Sequence, residues 1–151
     1  LKIGCIISEG YNSEEFNAVI KALQDARTMP EIISDTLAPV RGSGGDEQLP
    51  KHTLLSADPV LFDAVYVIAG QNPDNKFAAD VKRYIQETYM HYKPLLVSQT
   101  SSPLLNPNMA GQPGVTINEG NKQVNKFIND ISVHRHWNRE IYNISRDAVL
   151  L

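Results

Sequence analysis

Three short runs of apolar residues limit what this chain can fold into: KIGCIIS at 2–8, AVYVIA at 64–69 and LLVS at 95–98. Each is too short for a buried helix, and its apolar residues follow one another instead of alternating with polar ones. Such a run suits a strand whose two faces are both covered. Between the runs the spacing changes. Phe16, Val19, Ile20 and Leu23 fall on one helical face, as do Phe77, Val81, Tyr84, Ile85 and Thr88, and then Val124, Phe127, Ile128 and Ile131. Asn12 with Glu15 forms a capping pair for the first helix. Glu31–Ser34 reads as a second strand after Pro30, and 115–117 as a short edge strand.

Strands alternating with amphipathic helices need a parallel sheet clad on both sides. The expected architecture is α/β, a flavodoxin-like doubly wound parallel sheet in a three-layer α/β/α sandwich. Residues 38–53, with Gly42, Gly44 and Gly45 between two extended pieces, read as a small β-hairpin excursion. The order is strand, helix, strand, hairpin, strand, helix, strand, helix. A brief turn at 58–62 precedes the central strand, and a short helix is expected from Ser102.

With 151 residues, 42% of them hydrophobic, the chain suits one domain, 1–151, with one core. A net charge of −3 provides no global field for nucleic acid, and no apolar run approaches a membrane span. One cysteine, Cys5, excludes an internal disulfide; inside the first strand it reads as a small hydrophobe. The start at Leu1, without Met and directly in a strand-like run, is expected of a piece cut from a longer polypeptide and equally of a trimmed chain.

Ligands of doubly wound sheets sit beyond the carboxyl ends of the strands. Three loops lie there: 9–15, 70–74 and 98–102. In the first, Glu14 and Glu15 fit a helix start, where carboxylates complement the dipole; Glu15 can also turn inward toward a nucleophile. In the second, the backbone N–H groups of Ala69-Gly70-Gln71-Asn72 can form an anion or oxyanion site or merely a turn. In the third, Ser98 stands at the strand end where many α/β enzymes hold a nucleophile. The G-x-S-x-G elbow is absent, since Leu96 and Thr100 occupy its glycine positions. None of His52, His91, His134 or His136 directly follows Ser98. Without a base in reach a serine is nearly inert, so the hydroxyls of 98–102 read as helix caps. Gly42–Gly45 lacks the Lys-Ser/Thr pair of a phosphate-binding loop. His134 and His136, two apart, are a poor metal pair. Arg135, Arg139 and these histidines surround Trp137 in a basic patch. It reads as a charged helix end or as a docking surface anchored by Trp137, with Tyr142 beside it.

The segments EGYNSEEFNAVIKAL (9–23), FDAVYVIAGQN (62–72), YMHYKPLL (89–96) and HRHWNR (134–139) carry a resemblance across the whole chain. They resemble the ThiJ/PfpI branch of the class I glutamine amidotransferase-like superfamily and, more narrowly, the C-terminal domain of large-subunit haem catalases. In active members of the superfamily the elbow presents a cysteine with a Glu from the first loop and often a nearby His. Here Ser98 stands at the cysteine position, Glu15 at that of the Glu, and the His is missing. The resemblance therefore implies a non-catalytic domain with Ser98 and Glu15 as vestiges. It would support stability and tetramer assembly of a peroxide-decomposing catalase, with a chaperone-like role attributed to some relatives.

On that reading no cofactor or metal binds in this segment, and haem belongs to the parent chain. The partners are the remainder of the catalase chain and the other subunits of a homotetramer, with no nucleic acid or membrane, in the cytoplasm. The competing expectations are a stand-alone ThiJ/PfpI-type hydrolase or deglycase using Ser98 with Glu15, and a flavin or nucleotide binder. The last conflicts with Ser8-Glu9-Gly10, which puts an anion where phosphate would sit.

Overall fold

The computed structural model describes residues 1–141. Their strands are β1 (Lys2–Ile7), β2 (Met29–Ser34), β3 (Val40–Arg41), β4 (Glu47–Gln48), β5 (His52–Thr53), β6 (Ala64–Ile68), β7 (Leu95–Ser98) and β8 (Val115–Asn118). The α-helices are α1 (Ser13–Asp25), α2 (Asn75–Met90) and α3 (Val124–Val133), and short 3-10 helices span Pro59–Leu61 and Gln99–Leu104. Six strands form one parallel sheet in the order β5-β2-β1-β6-β7-β8, while β3 and β4 pair antiparallel as a separate hairpin.

Alternation along the buried strands creates two cores. Val65, Val67, Leu95 and Val97 pack with Phe77, Val81, Ile85 and Tyr89 of α2 on one face. Ile3, Cys5, Ile7, Tyr66 and Leu96 pack with Phe16, Val19 and Leu23 of α1 and Phe127 and Ile131 of α3 on the other. This is the three-layer sandwich read from periodicity, with one core on each side of the sheet instead of a single one. Both long helices begin on side-chain caps. Asn12 Oδ1 accepts from Glu15 N at 2.8 Å, and Asp74 Oδ1 from Phe77 N at 2.8 Å.

The excursion is smaller than its sequence suggests. Only β3 and β4 form a hairpin, because His52 and Thr53 continue into the main sheet as its edge strand. The hairpin tip is pinned to the start of α1: Asp46 accepts from the hydroxyls of Ser13 and Tyr11, and Gly44 N donates to Ser13 Oγ at 2.9 Å. The helix expected from Ser102 begins directly after β7, at Gln99, as a 3-10 helix.

Candidate functional site

The carboxyl ends of β1, β6 and β7 converge because the chain makes close approaches there. Gly70 lies against the 9–10 turn, and a Cβ at this position would stand 1.8 Å from the Glu9 carbonyl oxygen. Gly10, at φ +82°, completes the turn.

Beneath this corner lies a polar cluster centred on Glu15. Its first-turn position in α1 puts the carboxylate over the sheet, so it turns inward and not along the helix dipole. Ser98 Oγ donates to Glu15 Oε1 at 3.0 Å. Tyr66 OH donates to Glu15 Oε2 at 2.8 Å, and Asn118 Nδ2 to the same oxygen at 3.2 Å. Asn118 Nδ2 also reaches Asn121 Oδ1 at 3.1 Å, and Ser98 Oγ lies 3.3 Å from Thr100 Oγ1. Burial, followed by the negative charge of Glu15, pushes the Tyr66 phenol well above its ordinary range, so it stays a neutral donor.

Two sequence expectations need correction here. An acceptor does lie within reach of Ser98, because the fold brings Glu15 across 83 positions of sequence to its hydroxyl. Nor does the Ser98 hydroxyl cap the following helix, since its side chain makes no capping bond. The contact alone does not make a nucleophile. Ser98 is 1% exposed, and neither it nor Glu15 lines the clefts beyond the strand ends. Those clefts, of about 400 and 370 Å³, are shaped by Ala69, Gly70, Gln71, Thr100 and their neighbours.

Two of the four amides that offered an oxyanion site, those of Ala69 and Gly70, are committed. Ala69 N donates to Ser101 Oγ at 2.9 Å and Gly70 N to Ser8 Oγ at 2.8 Å. No imidazole bonds to Ser98: His52 pairs with Glu31 at 2.8 Å, and His136 Nε2 lies 3.1 Å from the Asp130 carbonyl. Among the described residues no group of three or more His, Cys, Asp or Glu could hold a metal ion. No helix among them is long and apolar enough to cross a membrane. Cys5 is fully buried, and burial pushes its thiol far above the ordinary range.

The basic patch divides. Trp137 is 71% exposed, with its ring 4.9 Å from that of Tyr92, and Arg135 is half-buried. Arg139, expected on the same surface, is internal at 5% exposure. It donates to the carbonyls of Pro113 (3.0 Å), Tyr89 (2.9 Å) and Lys93 (2.9 Å) and sits 4.6 Å over the Tyr89 ring. Burial lowers its guanidinium to about 10. It ties the end of α2 to the loop before β8 and is not part of a docking face. Tyr142 lies outside the described residues.

Sequence reasoning missed Tyr66 and Asn118 as partners of Glu15. The available signal was Tyr66 itself, a phenol in the middle of an otherwise apolar central strand, where its hydroxyl must find an acceptor.

Solved structures define the class first. A ThiJ/PfpI domain protein from Brachyspira murdochii matches with a TM-score of 0.66 at 14% identity, over 87% of this chain and 95% of that one. Oxidised DJ-1 from Toxoplasma gondii matches at 0.63 and 12% identity, over 89% and 95%. The chain thus has the flavodoxin-like DJ-1/ThiJ/PfpI fold. Residues 1–140 match the family described as the C-terminal domain found in long catalases, and the chain belongs to that family. It is 34% identical to a catalase of Alkalihalophilus pseudofirmus over 140 residues, covering 91% of this chain and 21% of that protein. With Catalase-2 of Bacillus subtilis it shares 29% identity over 93% of this chain and 21% of the relative. The chain therefore spans about a fifth of the length of these relatives.

Proposed function

We propose that this segment is a non-catalytic domain of a long, haem-dependent catalase, acting in the cytoplasm to stabilise the parent chain and its homotetramer while the parent decomposes hydrogen peroxide. The observation that carries the non-catalytic reading is the closed Glu15 cluster. Ser98, Tyr66 and Asn118 spend their donors on one carboxylate, and the serine has almost no surface. A reaction needs an open approach to the nucleophile and free donors for the developing charge. Here the approach to Ser98 is closed, and the amides of Ala69 and Gly70 already donate to Ser101 and Ser8.

The residues present do not fit a haem. Its axial ligand would be a His, Cys, Tyr or Met facing a pocket, and among the described residues the clefts at the strand ends carry none of these. Tyr84 does line a cleft beside α2, but that space is about 210 Å³, below the ~300 Å³ at which ligand pockets begin. On this reading the haem is held by the remaining four-fifths of a long catalase chain.

The test compares the complete catalase with a form lacking residues 1–151. The truncated enzyme should turn over peroxide initially but lose its tetramer and its activity faster on heating. Equal half-lives and equal assembly would refute the reading. One observation favours a second reading, the 3.0 Å contact between Ser98 and Glu15, which is the pairing a ThiJ/PfpI-type hydrolase or deglycase would use. Turnover of a glyoxal or peptide that disappears in Ser98→Ala would establish it; no turnover in the wild type would end it.

A further inference from the structure

The exposed apolar residues are not scattered. The sheet has a carboxyl pole, where the Glu15 corner lies, and an amino pole at the opposite strand ends. Six of the nine large apolar side chains left exposed among the described residues sit at the amino pole: Leu1, Met29, Val60, Leu61, Val133 and Trp137. Register places them there. Lys2 pairs with Met29 at the first rung of β1 and β2, Val60 and Leu61 lie just before β6, and α3 runs back from the carboxyl end of β8 to finish at Val133. Trp137 is brought in by His136 N, which donates to the Tyr92 carbonyl at 2.8 Å in the α2–β7 connection. Lys93, from the same connection, donates to the Pro59 carbonyl at 2.9 Å and braces the 3-10 turn carrying Val60 and Leu61. Of the other three, Leu37 and Leu55 follow β2 and β5 at the carboxyl pole, and Leu49 lies on the hairpin side.

A second feature concentrates at the same pole. All three α-helices end there, each on or beside a left-handed residue that is not glycine: Arg27 (φ 62°), Tyr92 (φ 61°) and His134 (φ 71°). Glycine is the usual occupant of such positions, because a Cβ disfavours them. Around His134 the backbone closes a tight turn, with Arg135 N donating to the Val133 carbonyl at 3.0 Å. Three large side chains are therefore held at this surface against local backbone preference, the pattern expected where side chains serve contacts beyond their own helix.

We infer that the amino pole is the surface on which this domain docks against the body of its own catalase chain, and that the carboxyl pole with its vestigial elbow faces away. The inference rests on the reading above, that the segment is the C-terminal domain of a long catalase. What selects the occupant is the length of the relatives. The matched relatives are about five times longer than this segment, which covers 21% of them. In a C-terminal domain the preceding polypeptide arrives at β1, at the pole where these apolar residues lie. A tethered body meets a surface beside its own point of entry at high effective concentration, without needing a strong site.

The test uses the complete catalase carrying this segment. One pair of variants charges the pole, Val60→Asp with Leu61→Asp, and separately Trp137→Asp. A control pair, Leu37→Asp with Leu55→Asp, charges the opposite side. All of these residues are exposed, so the domain itself stays folded. Burying a carboxylate in a docked interface should weaken it by well over tenfold, so mild protease should release the 16.8 kDa segment at least about tenfold faster from the pole variants and unchanged from the control. Amide exchange of 58–63 and 134–138 should be protected in the complete wild-type chain and fast in the pole variants. Equal release from all variants and fast exchange of the pole in the wild type would overturn the docking surface. So would pole variants that split the tetramer while the segment stays protected, because the occupant would then be another subunit. If removing the whole domain changes neither half-life nor assembly, the reading of a stabilising domain falls. If removal destabilises and the pole variants do not, only the surface assignment falls.

Discussion

Glu15→Ala separates a cluster that holds the fold together from an incidental set of contacts. Three donors point at one carboxylate. Removing it strands the Tyr66 hydroxyl, which is fully buried and has no other hydrogen-bond partner among the described residues, at a cost of about 2–3 kcal/mol. Ser98 can turn to Thr100 and Asn118 keeps Asn121, so each contributes about 0.5–1 kcal/mol. Glu15 is only half-buried, and water entering its space recovers part of the loss. The net is roughly 3 kcal/mol, a large fraction of a typical 5–15 kcal/mol. With a urea slope of about 2 kcal/mol/M the midpoint falls by about 1.5 M. Ser98→Ala and Tyr66→Phe each remove a donor without stranding one, and each should cost about 1 kcal/mol. The double variant is the sharper test. Tyr66→Phe should destabilise the wild type but stabilise Glu15→Ala, because it deletes the stranded hydroxyl. Urea unfolding of all four proteins measures this cycle. A Glu15→Ala cost no larger than that of Ser98→Ala, or a Tyr66→Phe effect of the same sign in both backgrounds, would refute the reasoning.

Gly70→Ala forces a Cβ against the Glu9 carbonyl and should cost about 3 kcal/mol or more, whereas Gly45→Ala, with open space around it, should cost only about 1 kcal/mol for its left-handed backbone; urea midpoints compare them. Arg139→Lys keeps the charge but loses the fork that reaches three carbonyls and the stacking on Tyr89, and should lower stability by about 2–4 kcal/mol in the same assay. His52, followed by Lys51, holds the buried Glu31 carboxyl below its ordinary range. A lowered folded-state value means stabilisation that is complete at neutral pH and lost as acid titrates through and below the ordinary carboxylate range. Stability measured from about pH 6 to pH 3 should therefore fall less steeply in Glu31→Gln than in the wild type.

The sheet was legible because its physics is local. Runs such as AVYVIA admit only a strand covered on both sides, and Asn12 fixes the start of α1 from the sequence alone. The edge position of β5 was not legible, since two residues carry no periodicity and His52–Thr53 continue smoothly from the hairpin. The elbow was read correctly in place and incompletely in chemistry. Glu15 and Ser98 were both visible, but whether a carboxylate follows its helix dipole or turns over the sheet depends on what else it can accept. Those acceptances, Tyr66 from β6 and Asn118 from β8, are set by sheet order. Arg139 was misread for a related reason. A cation among HRHWNR looks solvated, and only the fold gathers three carbonyls that offset its burial.

The account stands on a serine hydroxyl sealed at the end of β7. A small fluorophosphonate, added in excess to the complete catalase and followed by peptide mass spectrometry, reads that directly. The peptide containing Ser98 should emerge unmodified over hours at neutral pH, and peroxide turnover should be unaffected. A stoichiometric adduct on Ser98, formed in the wild type and absent from Glu15→Gln, would show an open, activated nucleophile and contradict the account.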